Sequence, residues 1–129
     1  MSKLNINNLI IAAGAFNAFL AVGTGAFAAH GLKEILSVEY LSTFKTAADY
    51  QLIHGIGLIL IGALNKINNS RYNIIAAALM FVGIILFCGS LYLLTLTGTK
   101  WLGIITPFGG SLFLAAWLTL GFNYLLCKE

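Results

Sequence analysis

Charge is what this sequence has least of. Asp, Glu, Lys and Arg make up 9% of its 129 residues, where an ordinary soluble domain carries about a quarter. A short water-soluble chain has a large surface for its volume and must cover it with polar groups. Seven Lys+Arg and four Asp+Glu are too few to do so, and the medium must be lipid. The net charge of +3 is carried by basic residues scattered singly, without a run or stripe, which excludes a nucleic-acid partner.

Histidine and cysteine are equally scarce, two of each. Cys88 lies deep in an apolar stretch and Cys127 at the end of the chain, with no CxxC spacing, so both are expected as free, packed thiols. No HExxH, P-loop, GxSxG elbow or dinucleotide fingerprint is present. No metal site, cofactor or catalytic residue is therefore expected. Ser37 or Ser42 beside His30 or His54 is too ordinary a combination to be read as a dyad, and the chain is read as a non-enzyme.

What the chain does contain is 60% hydrophobic residues, gathered into four stretches at about residues 9–29, 47–64, 72–96 and 101–126. Each approaches or exceeds the roughly 20 apolar residues that cross a hydrocarbon core of about 30 Å. The first could be mistaken for a cleavable signal, with Lys3 ahead of it and Ala26-Phe27-Ala28 near its end. It is longer than a signal core and three more spans follow, so it is read as a retained span. Ser37 is placed to cap a helix, with Glu39 in its first turn. That helix is expected from Val38 into the second span, its first turns an amphipathic segment at the membrane surface. Short links at 65–71 and 97–100 force antiparallel neighbours. The expected fold is all-α: one polytopic domain over 1–129, an up-down-up-down bundle of four transmembrane helices.

Lys3, Lys66, Arg71 and Lys128 fall on the side of the termini, and Lys33, Lys45 and Lys100 on the other. By the positive-inside rule the termini are expected in the cytoplasm of a bacterial inner membrane. Trp101, Tyr72 and Tyr124 stand near span ends, where aromatic belts form. Small residues recur at helical spacing: Gly14, Ala18, Ala21 and Gly25 in the first span, and Gly83 in the third. Such stripes let helix backbones approach closely, within one chain or toward a homo-oligomer or a partner membrane protein.

One group of polar residues stands out. Asp49-Tyr50-Gln51 opens the second span, with His54 one turn later, and an ionisable residue inside a span prompts a functional hypothesis. Tyr50 and Gln51 can each share a face with His54, whereas Asp49 and His54 do not obviously meet. His30, Ser90, Tyr92, Thr106 and Pro107 fall at the same depth, in the leaflet half opposite the termini. Two readings stand: a satisfied interhelical network, or a binding site, proton relay or solute path. In Thr106-Pro107, followed by Gly109-Gly110, the proline starts or kinks a helix, which is read either as a kink for packing or as an interrupted helix facing a substrate.

Several ordered motifs carry a resemblance. They are Gly25-Ala26-Phe27-Ala28-Ala29-His30-Gly31-Leu32, Phe44-Lys45-Thr46-Ala47 with Tyr50-Gln51 and His54, and Phe87-Cys88-Gly89-Ser90-Leu91-Tyr92. Leu96-Thr97-Gly98, then Leu102-Gly103-Ile104-Ile105-Thr106-Pro107-Phe108-Gly109-Gly110, and Trp117 complete the set. Over nearly the whole chain the sequence resembles the domain-of-unknown-function 423 family of small bacterial membrane proteins, which has eukaryotic transmembrane relatives. The resemblance implies four spans and no particular activity. A proline often follows the family's serine at the place of Ser37; here Val38 stands there. The expected role is a structural, accessory, lipid-binding or partner-binding bundle. The alternative is an oligomeric transporter or channel for protons, ions or a small solute.

Overall fold

A computed structural model describes residues 4–126; Lys3, Cys127 and Lys128 lie outside them. Four long helices account for nearly all of it: α1 (Ile6–His30), α2 (Val38–Ile67), α3 (Arg71–Thr97) and α4 (Thr106–Leu126), with a short 3-10 helix (Lys100–Ile104) ahead of α4. No strand occurs among the described residues. All four segments are long and apolar enough to cross a membrane.

The helix boundaries follow local chemistry. Asn5, Ser37 and Ser70 each sit at an N-cap, where the side-chain oxygen accepts a hydrogen bond from a first-turn N–H of α1, α2 or α3, replacing the partner those donors lack inside the helix. Glu39 lies in the first turn of α2, favourable at the positive end of the helix dipole. Gly98 closes α3 in the left-handed region (φ 70°), its N–H bonded to the Leu94 carbonyl, a conformation that costs glycine nothing. At 30 residues, α2 is about 45 Å long and outruns a hydrocarbon core of about 30 Å. The helix starts at Val38, as the sequence suggests, and has turns to spare beyond the core.

The fourth span departs from expectation in one respect. It is not one helix over 101–126: a 3-10 helix covers Lys100–Ile104 and the α-helix starts afresh at Thr106. Pro107 therefore stands in the first turn of α4, where its missing N–H has no intrahelical bond to lose. It begins a helix and does not kink one.

The helices alternate in direction. Asn7 at the start of α1 bonds Asn65 at the end of α2, and Asn73 at the start of α3 bonds Asn123 at the end of α4. α2 and α3 form a central pair, with α1 packed on α2 and α4 packed on α3. Burial follows that order. α1 buries only Ile10, Gly14, Ala21 and Ala28, and α4 only Gly109, Phe113, Ala116 and Leu120. Phe16, Phe19 and Val22 on α1, and Leu114, Leu118 and Leu125 on α4, face outward, as lipid-facing residues must.

Glycine sets the two tightest crossings. A Cβ on Gly14 would lie 2.5 Å from the Gly55 carbonyl oxygen, and one on Gly109 would lie 2.4 Å from the Phe87 backbone nitrogen. Ala18 joins the first contact, its backbone 3.0 Å from where a Gly55 Cβ would sit. Ala21 is buried, and Gly83 receives the Phe113 ring. Gly25 does not belong with these: nothing lies within 4 Å of its Cβ position. Helical spacing places it in the stripe, yet Ala21 before it and Ala28 after it carry the burial on this face. Gly110 makes only ordinary contact with the Phe87 ring. On α2, Gly55 and Gly62 supply the other half of the α1 contact.

Candidate functional site

The polar residues opposite the termini resolve into three separate groups. The first is a chain of donors running from α3 through α2 to α1. Tyr92 Oη donates to Gln51 Oε1 (2.7 Å), Gln51 Nε2 to Asn17 Oδ1 (3.1 Å), and Asn17 Nδ2 to the Ala13 carbonyl (2.9 Å). The Thr24 hydroxyl lies 3.0 Å from Tyr92 Oη. Gln51 is buried, and both ends of its amide are engaged. Each bond of this kind contributes about 0.5–2 kcal/mol between helices in lipid. A double-mutant cycle of Asn17→Ala and Gln51→Ala is expected to return a coupling of about 1 kcal/mol. Unfolding in mixed micelles measures it, and strictly additive losses would remove the bond from the account.

The second group centres on His54, which α2 turns toward α4. Its Nδ1 is 2.7 Å from the Tyr50 carbonyl oxygen, and Trp117 Nε1 is 3.1 Å from its Nε2. A carbonyl only accepts and an indole N–H only donates. Nδ1 must therefore carry the hydrogen and Nε2 must be bare, so the ring is neutral with both nitrogens occupied. A second proton, on Nε2, would set two N–H groups against each other. The imidazole also stacks on Phe113, with centroids 3.6 Å apart and planes 12° apart. Tyr50 stacks on Phe87 and, more distantly, on His54.

The third group is a hydroxyl pair, Ser90 Oγ and Thr106 Oγ1 at 2.6 Å, with Ser90 also donating to the Phe87 carbonyl. It joins α3 to the start of α4.

Depth alone did not bring the remaining candidates together. His30 is exposed at the end of α1, Asp49 is exposed on α2, and Pro107 is exposed on α4. None of the three hydrogen-bonds to these groups. Gln51 and His54 are both buried, yet they serve different neighbours. The residues that complete the groups, Asn17, Thr24 and Trp117, lie in other helices. An asparagine in the middle of an otherwise apolar span was the available signal for the first.

A second polar network, at the terminal end, has one asparagine from each helix. Asn123 Nδ2 donates to Asn73 Oδ1 (3.0 Å), Asn73 Nδ2 to Asn65 Oδ1 (3.3 Å), and Asn65 Nδ2 to Asn7 Oδ1 (2.6 Å). Tyr124 Oη and the Asn68 carbonyl also accept from Asn73, and Ser70 is tied to both Asn65 and Asn123. Asn65 and Asn73 are almost wholly buried, at 1% and 0% exposure. Among the described residues, no buried side-chain polar atom lacks a partner.

Between α2 and α4 a groove of about 590 Å³ opens sideways, lined by Tyr50, His54, Phe87, Ser111 and Trp117 among others. Half of its lining side chains are aromatic, and the His54 and Trp117 ring nitrogens within it are already engaged.

Four apolar helices in alternating directions, with polar side chains paired across them, define a small multi-pass integral membrane protein. The chain belongs to the family described as Protein of unknown function (DUF423), whose model matches residues 24–110. It is 49% identical over 112 residues to a UPF0382 membrane protein of Staphylococcus epidermidis, covering 87% of this chain and 91% of that one. A UPF0382 membrane protein of Staphylococcus aureus is 50% identical over the same share of each chain. The counterpart in Staphylococcus saprophyticus is 48% identical over 87% of this chain and 92% of its own. No solved structure matches.

Proposed function

We propose that this protein is a non-enzymatic component of the bacterial cell membrane, a structural or accessory bundle that holds lipid or a partner helix on its outer faces. One observation carries the reading: the polar groups inside the bundle spend their hydrogen bonds on one another. Gln51 is occupied by Tyr92 and Asn17, and His54 by Tyr50 and Trp117. A group that moves protons or solutes must exchange partners with water, whereas the Tyr92–Gln51–Asn17 and Trp117–His54 bonds tie one helix to another. Basic residues at the α2–α3 junction, Lys66 and Arg71, support cytoplasmic termini. A phosphatase reporter joined to the C-terminus should then stay inactive in cells, and an active reporter would reverse the orientation.

The competing reading is an oligomeric transporter or channel for protons, ions or a small solute. It draws on the α2–α4 groove, which reaches His54 from the side. Two measurements separate the readings. His54→Leu strands the Trp117 N–H and is expected to cost about 1–3 kcal/mol of stability, while Asp49→Asn, at an exposed position, should change stability little. In a background without native cysteines, His54→Cys should resist a water-soluble maleimide applied from either side. Ready labelling, or a His54→Leu protein of full stability that has lost a cellular phenotype, favours transport.

A further inference from the structure

We propose that the groove between α3 and α4 at the terminal end holds an acyl chain of an anionic phospholipid, whose headgroup phosphate rests on Arg71. The groove is separate from the Gln51 and His54 groups and touches the asparagine network only at Asn123, and either functional reading is compatible with it. The groove, about 630 Å³, is lined by Tyr72 of α3 and by Ala115, Leu118, Thr119, Phe122, Asn123 and Leu126 of α4. From Leu126 at the membrane surface to Ala115 it extends about 16 Å along α4. That is half of a core of about 30 Å, the depth one acyl chain reaches in one leaflet.

The mouth of the groove is basic. Arg71, the first residue of α3, is exposed, and its Nη2 lies 3.1 Å from Tyr72 Oη. Its guanidinium carbon stands 5.0 Å from the centre of the Tyr72 ring. Tyr72, itself a groove wall, thus holds the cation at the edge where a headgroup must lie. One N–H is spent on the tyrosine, and the planar fork keeps others for phosphate oxygens, which it can bind in pairs. Lys66, exposed in the last turn of α2, adds positive potential at the same end. The acidic residues among those described are Glu34, Glu39 and Asp49. The first two precede or open α2 and the third lies in its N-terminal half, all toward the opposite end; Glu129 lies outside the described residues. Basic sites beside spans select anionic lipids in this way.

A partner helix fits the groove less well. Ala115 and Thr119 are small and four apart, as in helix pairing, but the bulky, exposed Leu118, Phe122 and Leu126 beside them hold another helix backbone away. A flexible chain can thread between such side chains. On the same wall the Thr119 hydroxyl makes no hydrogen bond to the described residues, and Asn123 keeps its bonds to Asn73 and Ser70 behind the groove.

The test uses the full chain purified in a neutral detergent and titrated with phosphatidylglycerol or phosphatidylcholine bearing the same acyl chains. Native mass spectrometry counts the adducts, and thermal unfolding reports their effect. Phosphatidylglycerol should give a saturable adduct and a raised melting temperature, with about fivefold preference over phosphatidylcholine, the effect of roughly one cation at a charged surface. Arg71→Gln should erase the preference and Arg71→Lys should keep part of it. Ala115→Phe, which blocks the groove, should weaken both lipids, with the lipid-free melting temperature showing that the variant is folded. Equal binding of the two lipids, or a preference that survives Arg71→Gln, overturns the proposal. So does inorganic phosphate reproducing the full shift, or an Ala115→Cys cross-link in native membranes that captures a protein chain instead of lipid.

Discussion

Replacing Gly109 by alanine is expected to be among the most damaging single substitutions in this protein, although it adds one methyl group. The new carbon would stand 2.4 Å from the Phe87 backbone nitrogen and 2.8 Å from its Cα. Neither atom belongs to a side chain that can rotate away, so α4 must lift off α3. Gly14→Ala meets the same obstacle at the Gly55 carbonyl (2.5 Å) and the Ile59 nitrogen (2.8 Å). Overpacking of this kind costs about 1–3 kcal/mol and sometimes more, beyond the roughly 1 kcal/mol that alanine gains over glycine within a helix. Valine at either place should be worse. Gly23→Ala and Gly121→Ala provide the control, since nothing lies within 4 Å of either position; both should be neutral or slightly stabilising. Unfolding in dodecyl sulfate mixed micelles measures all four. Gly109→Ala as stable as Gly121→Ala would show that the helices cross elsewhere.

Asn73→Ala is expected to have an effect of similar size for a different reason. The side chain is fully buried and bonds Asn65, the Asn68 carbonyl, Tyr124 and Asn123. Truncation removes the middle of the asparagine chain and leaves the Asn123 amide and the Asn65 oxygen short of partners. A buried polar group stripped of its partner costs about 1–3 kcal/mol, and two such groups share a site here. In membranes the unfolded chain also finds polar partners, which pulls the figure toward the low end. Asn73→Ala should therefore lower stability by about 2 kcal/mol and loosen both termini-side helix pairs, seen as faster amide exchange at the ends of α2 and α4. Unchanged exchange there would mean that the four helix ends are held by apolar contact alone.

The two kinds of variant differ in how visible their cause is in the sequence. The span count, the alternating directions, the Ser37 cap and the long second helix all follow from local patterns, because each depends on a residue and its near neighbours along the chain. Asn7, Asn65, Asn73 and Asn123 each stand near the terminal end of a span, so their common depth was legible too. Their donor order was not. The same holds for Tyr92, Gln51 and Asn17, and for His54 with Trp117.

The reason is geometric. Along a membrane helix, sequence position converts to depth at about 1.5 Å per residue, and an apolar helix of about 20 residues reaches from one side of the hydrocarbon core to the other. Relative depth, the alternation of helix directions and the stock of polar groups at each end of the bundle were therefore determined by the sequence itself. Direction around the axis advances about 100° per residue, and the partner met in that direction depends on how each helix is rotated and crossed by its neighbours. Gln51 and His54, three residues apart, sit in one helix at nearly one depth. Only the packing of α1 against Gly55 and of α4 against Phe87 decides that the first bonds Asn17 and Tyr92 while the second bonds Trp117. The same rotation leaves Gly25 facing open space, seals Gly14, and places Asp49 and His30 outside the groups their depth suggested.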